Sequence, residues 1–379
     1  MGMKERNEGI DLLRIVAMFF VMILQTLSNG GLLYAGGDSV NTRVVWALQV
    51  IAFVAVDIFA LISGYVGFTD QPKPFRVSKY FSLWLMVLTY GVILTIVEVV
   101  LMDGAASGID IAVSFFPVTA NLFWYFTAYT GLFLLMPLMN ALVRMYSEER
   151  LRKIFIVIVI LFCAYDFWAE RIIPGKGYTM LWFVVLYFMG AIIKKCDIGV
   201  EMKNSSLILI IVLCGFFSWI WRLNVPGIHV LTISISGETM LNPMSPTVVA
   251  SAVAYLLLFK RLRIKKEGDM HRFIRFSAPA VFAAYILGSH AIVWSHILPG
   301  KFAFLANRSA LEMVGVVIAF SALFLGTSVL LERGRMALFE LMRVRKGLDK
   351  LEDKVRGIMF RPKRKNLFAE QTGQNKFDV

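Results

Sequence analysis

Apolar residues occur along this chain in long continuous blocks, and short polar or basic stretches separate the blocks. The apolar core of a bilayer needs about 20 residues of helix, so blocks of this length predict membrane-crossing helices. The blocks are continuously apolar and do not alternate, which is not the pattern of a β-barrel. Two blocks, 154–168 and 246–259, are short. The predicted spans are 10–29, 44–67, 79–102, 122–143, 154–168, 178–193, 205–221, 246–259, 279–298 and 311–331.

Composition supports the membrane interpretation. Of the 379 residues, 58% are hydrophobic and 17% are charged, and the mean hydropathy is +0.70. Soluble domains rarely reach such a value. We therefore expect one membrane domain over residues 1–332. The segment 333–379 is rich in lysine and arginine and predicts either an amphipathic helix on anionic lipid or a partly disordered tail.

The net charge of +13 is distributed unevenly between the two sides of the predicted bundle. If the amino terminus is cytoplasmic, nineteen lysines and arginines lie on the cytoplasmic side before the tail, and six lie on the other side. The positive-inside rule thus predicts an all-α, polytopic transmembrane bundle of about ten helices with both termini in the cytoplasm. The positive charge is explained by the bilayer as partner, and no nucleic acid is expected.

The first span contains three polar side chains, Asp11, Arg14 and Gln25. Arg14 and Gln25 are separated by about 16 Å along a helix and by only about 20° around it, and Asp11 shares that general face. Ionisable groups inside spans usually face an interior cavity, so a functional polar face is predicted. The alternative is that Asp11 and Arg14 reach the interface while Gln25 bonds a neighbouring helix.

Two further ionisable residues interrupt apolar spans. Asp57 is predicted near the middle of the second span, with Arg14 as one candidate partner. His290 lies in the ninth span at a depth similar to that of Gln25, and histidine is suited to proton transfer near neutral pH. A packing hydrogen bond is an equally plausible role for His290. His296, closer to the predicted outer interface, is a weaker candidate.

Five segments in order resemble the integral membrane acyltransferase-three family, over residues 9 to 298. Within this family, the segments most resemble the branch that acetylates bacterial surface polysaccharides. The segments are "GIDLLRIVAMFFVMIL", "DIFALISGYVGF", "LFWYFTAYTGLFLLMPLMN", "GYTMLWFVVLYFMGAIIKK" and "SAPAVFAAYIL".

The resemblance implies O-acyl transfer in a bacterial plasma membrane. The donor would be cytoplasmic acetyl-CoA, and the acceptor would be a hydroxyl of a cell-surface or lipid-linked glycan. The donor-binding candidates are Arg14, Asp11, Arg76, Lys79, Trp124 and Tyr129, and the catalytic candidates are His290, Gln25 and Asp57.

This chain departs from the family pattern at two positions. Gln25 stands where the family has a histidine, and Gly288 stands where the branch commonly has another. An amide does not titrate near neutral pH, so Gln25 cannot serve as a general base. His290 is then the best remaining base. The alternative is a catalytically degenerate relative that binds a glycan-lipid, acts as a scaffold or transports. The spacing of the three cysteines matches no zinc pattern, and no metal is expected.

Overall fold

Most residues of the computed structural model are helical. The structure describes residues 7–35, 39–71, 77–102, 104–168, 175, 177–230 and 233–359. Within these residues there are fourteen α-helices, one π-helical turn, one 3₁₀ turn and a two-stranded antiparallel hairpin. The α-helices are α1 (Glu8–Ser28), α2 (Val40–Ala52), α3 (Ala55–Gly67), α4 (Val77–Leu101), α5 (Gly108–Ser114), α6 (Trp124–Met145), α7 (Glu148–Trp168), α8 (Met180–Lys195), α9 (Asn204–Asn224), α10 (Pro246–Phe259), α11 (Asp269–Ser277), α12 (Phe282–Ser289), α13 (Ala310–Leu341) and α14 (Val344–Met359). The strands are β1 (Ile228–Val230) and β2 (Ile233–Ile235), the π-helix is Ile292–Ile297, and the 3₁₀ turn is Ala303–Asn307.

Polar side chains begin several of these helices. The side chain of Asn7 accepts a hydrogen bond from the backbone of Ile10, and Ser309 caps α13 by accepting from Glu312. Such caps satisfy backbone N–H groups that the first turn of a helix leaves without partners. Asn7 also donates to the backbone oxygen of Lys260, at 2.9 Å, which ties the start of α1 to the end of α10.

Six segments of the described chain are long and apolar enough to cross a membrane. The protein is therefore a multi-pass membrane protein, although the number of ten crossings and the side of each terminus stay predictions. The six segments are Glu8–Ser28, Val40–Gly67, Val77–Leu101, Trp124–Met145, Asn204–Asn224 and Ala310–Leu341.

Two of the predicted spans are interrupted. The span 44–67 consists of α2 and α3, which are separated by a turn at Phe53 and Val54. The span 279–298 consists of α12 followed by the π-helix. Both interruptions lie beside α1, which packs against α2, α3, α10, α12 and α13 and so lies at the centre of the bundle. The polar face of α1 is thereby placed in the interior.

Helices α3 and α8 make an unusually close contact through two glycines. A Cβ atom at Gly64 would lie 1.9 Å from the backbone oxygen of Tyr187, and one at Gly190 would lie 2.2 Å from that of Leu61. Small residues let helix backbones approach in membranes, where packing takes the place of the hydrophobic effect between helices. The pair forms one wall of the interior.

The carboxyl-terminal part of the described chain consists of two helices, α13 and α14. Helix α13 runs through the expected domain boundary at residue 332 and ends at Leu341. The amphipathic helix α14 then packs against α4 and α13, and the backbone N–H of Ser78 donates to Glu352 at 3.3 Å. Residues 360–379 lie outside the described part of the chain.

Candidate active site

Two charged residues of α1, Asp11 and Arg14, form an ion pair with each other. Arg14 Nη1 lies 2.6 Å from Asp11 Oδ1, one helical turn away, and the Asp11 side chain is almost completely buried. Arg14 was one candidate partner for Asp57, but the hydrogen bond that Asp57 accepts comes from Trp182 on α8. A partner three residues away on the same helix needs no change of conformation elsewhere, so the local pair forms.

Asp57 is fully buried in the first turn of α3. Its Oδ1 accepts a hydrogen bond from the indole Nε1 of Trp182, at 3.2 Å. Its Oδ2 is buried and has no hydrogen-bond partner among the described residues. The start of a helix carries a partial positive charge that favours an acidic side chain there, which offsets part of the cost of burying this one.

A cavity of about 410 Å³ lies beside the carboxyl-terminal half of α1. Residues of α1, α3, α6, α12 and the π-helix form its wall, and most of them are aromatic or aliphatic. The polar groups include the amide of Gln25, the hydroxyl of Ser289 and the edges of tyrosine and tryptophan rings. The aromatic residues are Phe59, Phe123, Trp124, Tyr125, Tyr178, Phe282, Tyr285 and Trp294.

Gln25 is held in this wall from α12. Its Nε2 donates to the Ser289 hydroxyl at 3.0 Å. Its Oε1 lies 2.2 Å from the position that a Cβ atom at Gly288 would occupy. The absence of a side chain at Gly288 therefore makes room for the Gln25 amide. Gln25 and Gly288 also border a second, apolar cavity of about 140 Å³ between α1, the π-helix and α13, so the amide separates the two cavities.

His290 follows Ser289 directly but turns away from the larger cavity. It is not among the described residues that line either cavity. Its Nδ1 accepts from the backbone N–H of Ile292 at 3.2 Å, and its Nε2 lies 3.1 Å from the Thr95 hydroxyl on α4. His290 is thus buried between α4 and the π-helix, behind the wall of the larger cavity.

The donor-binding candidates separate into two groups. Tyr129 lies within electrostatic range of Arg14, and Tyr80, next to the exposed Lys79, shares a hydrogen bond of 2.9 Å with Thr130. These contacts bring the amino-terminal turns of α1 and α4 close to the second turn of α6. Trp124 instead lines the cavity with Gln25. Arg76 lies outside the described residues.

Glu98 is the main polar residue that sequence reasoning missed. It lies on α4 inside an apolar span, and only 4% of it is exposed. Its Oε1 lies 3.2 Å from His296 Nε2. A carboxylate in a run of valine, isoleucine and leucine was a sufficient signal, because ionisable residues inside spans are usually functional. Ser289 carried no such signal, since its role depends on its neighbour across the helix pair.

Comparison with known proteins gives one match. The model of the acyltransferase-three family, described as an acyltransferase domain, matches residues 7–333, which include every described helix up to most of α13. No curated protein and no solved structure shows significant similarity to this chain.

Proposed function

Because the chain belongs to the acyltransferase-three family, whose domain spans residues 7–333, we propose that it is a membrane O-acyltransferase. It moves an acetyl group from cytoplasmic acetyl-CoA to a hydroxyl of a cell-surface or exported glycan at a bacterial plasma membrane. The observation that supports this proposal is the aromatic cavity with the Gln25 amide in its wall.

The wall of the cavity suits a sugar. Tyrosine and tryptophan present a flat apolar face and a polar edge, and a sugar ring has both apolar C–H faces and hydroxyl groups. Pockets that are mostly apolar with a few polar groups both enclose and orient a ligand. Trp124, Tyr178 and Trp294 supply such faces around the cavity. A glycan acceptor is the substrate class that this lining favours.

Gln25 has a role in this proposal that does not require a proton. Its Nε2 carries two hydrogens, and one of them is donated to Ser289. The other is available to the carbonyl oxygen of the acyl group, on which negative charge develops as the acceptor oxygen attacks. A donor fixed in advance by Ser289 needs no reorganisation at that moment. In this proposal, residue 25 therefore acts as a hydrogen-bond donor to the oxyanion and not as a base.

The opposite end of α1 suits the donor. Arg14 is partly exposed although it is paired with Asp11, and Lys79 is exposed at the start of α4. Cationic side chains at one end of the bundle would bind the phosphates of acetyl-CoA. Its thioester would then extend along α1 toward Gln25, about 16 Å from Arg14 along the helix axis.

The experiment supplies labelled acetyl-CoA to the cytoplasmic face of membranes that contain the protein, with glycan lipids as acceptors. We expect alkali-labile acetyl label in the glycan fraction. Gln25→Ala should lower the rate about 100-fold, the usual effect of losing one oxyanion donor. The matched control is Gln49→Ala on α2, a buried glutamine that is not part of the cavity wall, and it should retain the rate of the native chain.

Absence of any acetyl transfer by the native chain would overturn the proposal. If Gln25→His then produced transfer, the chain would be a catalytically degenerate relative that binds the glycan-lipid. Equal activity of the native chain and Gln25→Ala would leave the acyltransferase function and remove Gln25 from its chemistry.

A further inference from the structure

Glu98 and His296 form a carboxylate–imidazole pair that the proposed function leaves unused. Glu98 is on α4 and His296 is on the π-helix, so two separate elements bring them to 3.2 Å. Burying a carboxylate inside an apolar span is costly unless it is paired. The pair is therefore more than an incidental surface contact.

His290 cannot provide the base, because hydrogen bonds occupy both of its ring nitrogens. Thr95 donates its hydroxyl proton to the backbone oxygen of Gly91, at 2.8 Å, so it can only accept from His290 Nε2. The Ile292 N–H occupies the lone pair of Nδ1. These bonds fix a neutral imidazole with hydrogen on Nε2 and no free lone pair. Its Nδ1 is also 3.9 Å from Glu98 Oε2, too far for a hydrogen bond.

His296, unlike His290, has one ring nitrogen that can accept a proton. Its Nε2 faces the carboxylate, which accepts the hydrogen on that nitrogen and so directs the lone pair to Nδ1. The side chain of His296 is 35% exposed, whereas that of His290 is 6% exposed. Trp294, two residues earlier on the same π-helix, lines the aromatic cavity. The π-helix that carries His296 therefore contributes to the wall of the candidate site, and His296 itself is exposed beside it rather than among the described residues that line the cavities.

The charges around the pair are negative. Glu98 faces His296 from α4, and Asp110 on α5 acts electrostatically on Glu98. Two hydrogen bonds of 2.8 Å from the hydroxyl and backbone of Ser107 hold the pKa of Asp110 below its usual value. On the remaining side lies His290, which the network above keeps neutral. Within the described residues, the charged groups that act on the pair are therefore carboxylates.

We propose, on the basis of the acyl transfer proposed above, that His296 is the general base for the acceptor hydroxyl and that Glu98 positions it. Nδ1 of His296 takes the hydroxyl proton while the acceptor oxygen bonds to the acyl carbon. The C–S bond of the thioester then breaks, its electron pair leaves on sulfur, and the proton passes from His296 to the thiolate. An ester and a free thiol are the products.

Membranes with the full chain test this proposal through the rate of acetyl transfer to glycan. His296→Ala should lower kcat about 100-fold with little change in the KM for acetyl-CoA, the usual contribution of a general base. Added imidazole should restore part of the rate, because the side chain position is exposed. His296→Gln is the second variant, since it keeps the volume and a donor toward Glu98. The matched control is His271→Ala on α11, which pairs with Glu8 at the other end of the bundle and should keep the native rate.

Glu98→Gln tests the positioning role separately. It should lower kcat less than His296→Ala and should shift the pH at which the rate rises, while a purely structural change would leave the pH profile in place. If the native chain transfers acetyl and both His296→Ala and His296→Gln keep the native rate, the assignment of His296 is overturned. The acyl-transfer function would then stand without it. A native chain without transfer would overturn the acyl-transfer function and this assignment with it.

Discussion

At the scale of single residues, the space at Gly288 controls the position of the Gln25 amide. A methyl group at residue 288 would meet Gln25 Oε1, the end of a flexible side chain, so the amide would be displaced while the helices stay in place. We expect Gly288→Ala to lower the acyl transfer rate about tenfold, which corresponds to the loss of one hydrogen bond of about 1.4 kcal/mol. Thermal stability should change little.

The control for this prediction is Gly326→Ala on α13, where a Cβ atom would meet nothing within 4 Å. It should keep both the rate and the melting temperature of the native chain. Unchanged kinetics in Gly288→Ala would show that the amide position has no part in the reaction.

Asp57 gives a second prediction at this scale, on stability. Asparagine keeps an oxygen that can accept from Trp182 and removes a carboxyl group with one unpartnered oxygen. We expect Asp57→Asn to melt at the native temperature or a few degrees above it, because a neutral amide costs less to bury than a carboxylate. Asp57→Leu also removes the acceptor for Trp182 and should melt lower. A large drop for Asp57→Asn in detergent melts would contradict this.

At the scale of elements, the contact between α3 and α8 should be sensitive to a single methyl group. Gly64 lies against the backbone of Tyr187, which cannot rotate away as a side chain can. We expect Gly64→Ala to destabilise the protein by about 1 to 3 kcal/mol, the cost of overpacking a close contact. Gly215→Ala on α9 is the matched control, because its nearest neighbour is a Val50 methyl at 4.0 Å. Equal melting temperatures for the two variants would show that the contact is looser than the distances indicate.

The sequence predicted the helices better than their interruptions. Long apolar runs predict length directly, and the expected bounds 246–259 agree with α10. The turn at Phe53 and Val54 was not predicted, because neither residue is a helix breaker and the turn depends on packing around α1. The π-helix was not predicted for the same reason. Pro137, by contrast, lies inside α6 without ending it.

The candidate site was only partly predictable for a related reason. Gln25 and Asp11 were recognised from their position on one helix, which a single sequence gives. The partner of Asp57 and the environment of His290 depend on contacts between α3 and α8 and between α4 and the π-helix. Such contacts cannot be read from one chain. The proposal above therefore assigns the base to His296, whereas the sequence alone favoured His290.

At the scale of the whole molecule, the number of crossings can be tested with two substituted cysteines in a cysteine-free background. The ten predicted spans place five crossings between Ser107 and Glu267, so these positions should lie on opposite sides. The long apolar helices alone place two crossings there, Trp124–Met145 and Asn204–Asn224, which would put both positions on one side. A membrane-impermeant maleimide should label Ser107→Cys on intact cells and Glu267→Cys only after permeabilisation.

Labelling of both positions on intact cells, or of neither, would contradict the ten-span topology. A cysteine in place of Arg261 checks the cytoplasmic position independently, because Arg261 lies in the same loop and donates to the backbone oxygen of Met202.

The glycine contact between α3 and α8 also limits how the protein can move. Helices whose backbones touch through Gly64 and Gly190 cannot slide or part by small steps, so α3 and α8 should rock as one rigid unit. The wall that carries Asp57 and Trp182 then keeps its shape throughout a reaction cycle. We expect the proposed acceptor to enter by displacement of the opposite wall, where α12 is short and the π-helix interrupts the regular ladder of hydrogen bonds. On the proposed function, the entry point for the acceptor and the proposed base would therefore lie on the same short stretch of chain.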